Sequence, residues 1–390
     1  MRGKILFVLD SPFSDWKGTQ RFFFELGKHL VANGYAVEVI ENSKRKLRET
    51  MIPATPDVPF VIQETKFSRL IGVRGSYKAI FERIKPDVVY VSSMNTAPFV
   101  PLLGYNTVFG MHVVQVGGLI YAPALAKFEF RLKQVIMRLI ARIMWDTRNV
   151  RFHALTIQQA NWLAQNIGGD YTILIAGNPI NCKSIQAFLK GQVPDSTNST
   201  KFRMLYFGSL SNQKGFDNFL EICERISSLH LAPGIEFVVA GDGPLLSSLR
   251  SFMTKHSNVT YYGTVSDEEK ISIMANADIF VYPTISDIFP YVVAEAQLCG
   301  LPTITSDVIG SAGIVVEGET GSLISPRSTS IYVRKVVEYY TLWLEGPENY
   351  SRIRANIREV SQRLCMENVL PKLLSIFEDF ILIKDNISSR

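Results

Sequence analysis

Cysteine is scarce: four residues in 390, at Cys182, Cys223, Cys299 and Cys365, far apart along the chain. No pair has the short spacing of a zinc site, and the set is too sparse for a small disulfide scaffold. Those two classes are excluded, and buried free thiols in a reducing compartment are expected. A leader's continuous apolar stretch is also missing, because Met1-Arg2-Gly3-Lys4 runs directly into a strand-like segment. Both observations favour the cytoplasm. No repeat of solenoid length and no glycine- or proline-rich tract occurs, and with 47% hydrophobic and 20% charged residues the composition is globular. A chain this long exceeds what one hydrophobic core usually serves, so two domains are expected.

Charge is absent from Val88 to Ala126, which contains no Asp, Glu, Lys or Arg. About twenty apolar residues are enough to cross a bilayer. Here Asn95, Pro98, Pro101, Asn106, Gln115 and Gly117-Gly118 break the stretch, so a buried parallel strand with site loops is expected instead of a span. Where charge is present it is uneven. Residues 1–190 carry 24 Lys/Arg against 13 Asp/Glu, a net of +11, while residues 191–390 carry 17 against 23, a net of −6. Such a field steers one half toward anionic partners without specifying which.

The apolar pattern alternates between strands and helices. Strands are expected at 4–9, 37–40, 88–91, 107–111, 154–157 and 172–175, with a helix over 19–32 closed by Asn33-Gly34. Gly191, Pro194, Asp195, Ser196, Asn198 and Ser199 mark a surface connection. The alternation then restarts at 203–207 and continues to three helices near 328–344, 349–362 and 369–383. Two open, mostly parallel sheets with helices on both faces follow, and ligands of such sheets bind at the carboxyl ends of the strands.

Several strand ends carry polar motifs. Gly208-Ser209-Leu210 follows a strand, and Lys214-Gly215 opens the next helix. Glycine permits a close turn, while lysine and a helix N-terminus both attract phosphate. An ordinary tight turn with a solvated lysine fits as well. Gly241-Asp242-Gly243-Pro244 makes a second strand-to-helix turn, and a loop from Pro283 to Pro290 carries Asp287 ahead of Glu295-Ala296. Glu295 falls in an apolar helix, where an unpaired acid is costly to bury, so it either accepts hydrogen bonds from ligand hydroxyls or is solvated. Asp287 either faces a ligand or caps that helix.

Taken in order, Gly208…Lys214-Gly215, Gly241-Asp242-Gly243-Pro244, Asp287-x7-Glu295-Ala296, Gly300-Leu301-Pro302 and Glu319-Thr320-Gly321 resemble the C-terminal domain of the family-4 retaining glycosyltransferases. Gly18 stands at that family's N-terminal glycine-rich loop, and Asn178-Pro179-Ile180 resembles its pre-linker motif. The resemblance implies an α/β, GT-B fold: two Rossmann-like domains facing an interdomain cleft. Boundaries follow at 1–188 for the acceptor domain, 189–201 for a linker and 202–364 for the nucleotide-sugar domain, with a helix over 365–390 returning toward the first.

It further implies that Glu295 holds the nucleotide ribose and Asp287 the transferred sugar. Lys214 would neutralise the diphosphate, with Gly208, Ser209, Gly243 and the backbone of Gly18 and Thr19 around it. Thr264 and Val265 would lie near the base, and His112 beside the donor sugar and acceptor. Without the resemblance, His112 is an ordinary residue after a strand. The implied donor is a nucleotide-diphosphate sugar, UDP or GDP being unresolved, with no cofactor and no metal. Three positions depart from the pattern: Ser209 replaces a frequent arginine, Asp287 with Ile288 replaces Glu-Gly, and Lys17 replaces a glycine.

The implied acceptor is a saccharide or lipid-linked saccharide, as in synthesis of cell-surface polysaccharide or glycolipid. Residues 127–151 hold seven Lys/Arg beside an apolar stripe of helical period. This suits peripheral contact with an anionic membrane, and equally a domain-packing helix with a basic outer side. Lys44-Arg45-Lys46 is a second basic cluster. No nucleic-acid motif accompanies the charge. A nucleotide-sugar epimerase and a non-catalytic nucleotide-sugar-binding protein are the alternatives.

Overall fold

The first strand, β1 (Lys4–Leu9), reads KILFVL and is buried at every position but its first. An uninterrupted apolar run of this kind belongs to a parallel strand covered on both faces. The computed structural model describes residues 2–9, 18–42, 51–52, 61–65, 80–92, 100–110, 135, 139, 145, 147–167, 169–191, 200–229, 234–308 and 310–388. Contacts divide them into two units, one reaching Pro179 and resuming at Glu367, the other running from Ile180 to Met366.

In the first unit β1 is joined by β2 (Ala36–Asn42), β3 (Met51–Ile52), β4 (Val61–Thr65), β5 (Val88–Val91), β6 (Asn106–Gly110), β7 (Val150–Ala154) and β8 (Thr172–Ile175). The order is β3-β4-β2-β1-β5-β6-β7-β8, and every pairing is parallel except β3 with β4. The helix Gly18–Ala32 ends as expected, with Gly34 at φ +85° and its N–H donating to Val31 O at 3.0 Å. Within the charge-free stretch, β5 is buried at all four positions. Among the described residues no helix is long and apolar enough to cross a membrane.

One expected strand is misplaced. The run 154–157 looks extended, yet β7 occupies Val150–Ala154 and the helix Ile157–Ile167 follows at once. Thr156 and Gln159 decide this: Gln159 N–H donates to Thr156 Oγ1 at 3.2 Å, and Gln159 Oε1 accepts from Leu155 N–H at 2.7 Å. The Thr156 hydroxyl thus caps the start of the helix, and the Gln159 side chain ties down the residue before that cap. The true strand was disguised by Arg151 and His153, which are polar but buried. His153 sits in an aromatic core, stacked on Phe22 at 5.5 Å. Its Nε2 lies 2.7 Å from Ala176 O, and its Nδ1 meets Tyr90 Oη. A carbonyl only accepts, so Nε2 carries the hydrogen and Nδ1 accepts from the Tyr90 hydroxyl. Burial lowers the His153 pKa to about 4.

The second unit holds β9 (Phe202–Phe207), β10 (Ile235–Ala240), β11 (Val259–Tyr261), β12 (Ile279–Tyr282), β13 (Thr303–Ser306) and β14 (Gly321–Ile324). The order is β11-β10-β9-β12-β13-β14, all parallel, with the reversal between β9 and β12. This is the Rossmann order. Below the strands, Arg354 donates to Ala277 O at 2.6 Å and Ala275 O at 2.9 Å, satisfying carbonyls at the end of the helix Asp267–Asn276. Asp278 beside it accepts from Arg203 N–H at 2.7 Å, and burial raises its pKa to about 6.

Two expectations are corrected here. Cys182 and Cys365 are not free thiols but form a disulfide, 183 residues apart in sequence and 5.5 Å between Cα atoms. Ile180 pairs with Cys365 as a parallel bridge, and Met366 N–H donates to Ile180 O at 2.9 Å. The chain thus enters and leaves the second unit along neighbouring tracks, a juxtaposition that sequence spacing does not encode. Cys223 and Cys299 are free and buried. The first unit ends at Pro179 where sequence alone put residue 188, and the helix Cys182–Gly191 covers the start of the supposed linker.

Candidate functional site

Because all six strands of the second unit are parallel, their carboxyl ends share one edge, and the loops after β9, β10, β11 and β12 meet there. Glycines let them interlock. A Cβ on Gly241 would fall 2.0 Å from Gly208 O, and one on Gly243 would fall 2.7 Å from Leu210 O. Neither neighbour is able to yield, since both atoms are backbone. Leu210 N–H donates to Asp242 O at 3.0 Å, and Gly241 N–H donates to Gly263 O at 2.7 Å. The motifs after β9 and β10 and the loop carrying Thr264 and Val265 therefore form one backbone platform.

The loop after β9 next meets the loop after β12. Gly215 sits at φ +69° with its α-carbon against Pro283. Ile285 N–H donates to Gln213 O at 3.0 Å, and Thr284 Oγ1 donates to the same oxygen at 3.2 Å. These bonds bring Lys214 Nζ to 2.6 Å from Asp287 Oδ2, both groups partly buried. Tyr282, at the end of β12, donates its hydroxyl to Asp287 Oδ2 at 3.4 Å. Tyr206 donates to Ser209 O at 2.9 Å and Lys214 O at 3.2 Å, holding that loop from beneath. Burial first, and Asp287 in addition, push both phenol pKa values up, so both remain O–H donors.

Asp287 does not cap the next helix. The cap position of Tyr291–Leu298 is Pro290, with no side-chain bond. Nor is Glu295 a solvated helix acid, for it is only 4% exposed. Its Oε1 accepts from Lys270 Nζ at 3.1 Å, and the same ammonium lies 2.8 Å from Asp267 Oδ1. For Lys270, burial works to lower the pKa, but Glu295 and Asp267 outweigh it and the net direction is upward.

The structure thus gathers Gly208, Ser209, Lys214, Gly243 and Asp287 at one strand-end edge, with Thr264 and Val265 on the adjoining loop and Glu295 on the helix that follows. Gly18 and Thr19 begin the helix of the first unit. His112 and most of 127–151, with Lys44-Arg45-Lys46, lie outside the described residues. Sequence missed Lys270, Tyr206 and Tyr282. Lys270 looks like the partner of Asp267 three residues earlier on an exposed helix face, and nothing local indicates Glu295, 25 residues on.

Residues 192–360 match the family described as Glycosyl transferases group 1. The match covers 169 of the chain's 390 residues, all within the second unit, so this stretch is similar to a group 1 glycosyltransferase domain. Relatives include the gpi3 subunit of phosphatidylinositol N-acetylglucosaminyltransferase from Schizosaccharomyces pombe, 27% identical over 193 residues, covering 45% of this chain and 42% of that one. This chain therefore spans less than half the length of that relative. A GDP-mannose-dependent alpha-mannosyltransferase of Corynebacterium glutamicum is 22% identical, covering 98% of this chain and 91% of its own.

Solved structures agree on the fold. Sucrose-phosphate synthase of Thermosynechococcus elongatus superposes with a TM-score of 0.73 at 16% identity, over 97% of this chain and 100% of that one. Anabaena HepE in complex with UDP and glucose gives 0.63 at 16% identity, over 100% of both. The two units are the Rossmann-like domains of a GT-B glycosyltransferase fold, and the platform and Lys214–Asp287 pair belong to its second domain.

Proposed function

We propose that the protein is a retaining glycosyltransferase that moves a sugar from a nucleotide-diphosphate sugar to a hydroxyl of a saccharide or lipid-linked saccharide. The observation that carries this is the lysine–aspartate pair seated on a glycine-interlocked platform at the strand ends. Lys214 faces the diphosphate, Asp287 the sugar hydroxyls and Glu295 the ribose. Glycine backbone lets phosphate approach closely, and Thr264 and Val265 border the base. The family resemblance adds backbone N–H groups of Gly18 and Thr19 at the diphosphate and the imidazole of His112 at the sugar as further proposed contacts.

In the reaction the bond between the sugar C1 and the phosphate oxygen breaks, its electron pair leaving with the diphosphate. The acceptor oxygen bonds to C1 from the same face, and its proton passes to the departing phosphate. Negative charge grows on the diphosphate as this happens, so Lys214 contributes more at the transition state than before it. Breaking its pair with Asp287 frees the ammonium for phosphate and the carboxylate for sugar.

The acceptor is membrane-linked and the enzyme works at the cytoplasmic face. Val135 and Leu139, four residues apart and 56% and 53% exposed, support this as apolar members of the basic segment 127–151. The disulfide removes the free-thiol ground for a reducing compartment. Relatives named for N-acetylglucosaminyl transfer and for GDP-mannose do not agree on one donor, and the HepE structure holds UDP and glucose. The test is therefore a panel of UDP- and GDP-sugars with lipid-linked acceptors, the products weighed by mass spectrometry and their anomeric configuration read by NMR. Transfer with inversion refutes retention. Conversion of the donor without acceptor makes the protein an epimerase, and binding without turnover makes it a non-catalytic receptor. Equal indifference to anionic and neutral liposomes in flotation sinks the membrane contact alone.

A further inference from the structure

The helix Asp267–Asn276 starts immediately beyond Thr264 and Val265, and its start is pinned. Ser266 Oγ accepts from Glu269 N–H at 3.2 Å, while Glu269 Oε2 accepts from Ser266 N–H at 2.8 Å. This capping box fixes where the first turn points. Lys270 is the next residue along, and its ammonium bridges two acids of opposite character. Asp267 has a side chain 92% exposed, while that of Glu295 is 5% exposed and that of Lys270 itself 13%. An ion pair out in water is worth little. One held in the interior matters, because removing a partner leaves an uncompensated charge there. Glu295 is thus the partner that explains why Lys270 folds inward.

We propose that Lys270 is the positioning residue for the nucleotide ribose. It holds the Glu295 carboxylate in the orientation that accepts hydrogen bonds from the ribose 2′- and 3′-hydroxyls, and couples that contact to the loop bordering the base. This rests on the placement of ribose at Glu295 proposed above, and deepens it. The site is thereby selective for ribonucleoside diphosphates, since a 2′,3′-dideoxy sugar has no hydroxyl to donate to the Glu295 carboxylate. Lys270 touches neither sugar nor phosphate, and its effect passes through Glu295.

The experiment is calorimetric titration with UDP and GDP and with their 2′,3′-dideoxy analogues. It compares the wild-type chain, Lys270→Met, Lys270→Arg and Glu295→Gln, with thermal melts of each. A hydrogen bond to a charged group sets a preference of the wild type for the ribonucleotide of about tenfold to a hundredfold. Lys270→Met is expected to reduce that preference to within a few-fold by weakening the ribonucleotide alone, with the dideoxy affinity unchanged. Lys270→Arg retains part of it. In the Glu295→Gln background, Lys270→Met adds nothing further. Should Lys270→Met fail to fold, Lys270→Gln carries the same comparison. Equal weakening of ribo and dideoxy ligands, or an undiminished preference, overturns the proposal. Failure of the underlying placement shows differently: a wild type indifferent to the ribose hydroxyls, or a preference surviving Glu295→Gln, overturns both.

Discussion

Gly215→Ala is the sharpest test of how the platform is built. At φ +69° an alanine occupies left-handed backbone, at a cost of roughly 1–2 kcal/mol. Its Cβ would also lie 1.8 Å from Pro283 O and 2.4 Å from Pro283 C, so the two loops must part by about 2 Å to reach ordinary contact. Forcing a group into packed structure costs roughly 1–3 kcal/mol more, giving a total of about 2–5 kcal/mol. The strain falls on the bonds from Ile285 N–H and Thr284 Oγ1 to Gln213 O, which keep Lys214 near Asp287. Nucleotide affinity is therefore expected to fall together with stability. Gly318→Ala is the control, because Gly318 has φ +77° with nothing within 4 Å of a Cβ, and only the backbone cost of roughly 1–2 kcal/mol remains. Urea denaturation of both variants, with titrations of UDP and GDP, separates the contributions. If Gly215→Ala is no less stable than Gly318→Ala, or binds nucleotide as well as the wild type, the interlock does not hold the site.

Lys214→Met is expected to weaken nucleoside diphosphate binding about tenfold to a hundredfold, the value of hydrogen bonds to a charged group, while nucleoside affinity stays unchanged; equal losses for both would remove Lys214 from the phosphate. Cys182→Ser or Cys365→Ser opens a loop spanning 183 residues, for which chain entropy gives about 5 kcal/mol. An unchanged melting temperature under reductant, with both cysteines alkylated, would show that the bond carries no stability. His153 has a folded pKa of about 4, below its ordinary 6.5. Its contribution, about 3 kcal/mol from a shift of that size, is full above pH 6.5 and lost as pH falls through 4. Asp278, raised to about 6 from 3.8, acts in the opposite sense: its burden is relieved as pH falls through the same range. The measurement is accordingly made on the His153 ring nitrogens by NMR, and a midpoint above 6 would refute the buried neutral imidazole.

Much of the fold is legible in the chain because burial on both faces leaves plain apolar runs. KILFVL, IEFVVA and IFVY admit little else once turns bound them. β7 was obscured because Arg151 and His153 are buried there with partners that sequence does not display: Asp379 at 3.2 Å from Arg151, and Tyr90 beside His153. The glycine motifs and Glu295 were legible as types and spacings, since a close backbone approach tolerates no side chain and an acid in an apolar helix demands a partner.

By itself, then, the sequence determined two parallel α/β halves and the position of the strand-end motifs. Local periodicity and turn chemistry carry that information. Only the tertiary structure decided which loops interlock, that Lys214 pairs with Asp287 and Lys270 with Glu295, and that Cys182 meets Cys365. Those pairings join groups separated by 25 to 183 positions. They arise only when parallel strands bring their ends to one edge and the chain returns beside its own entry.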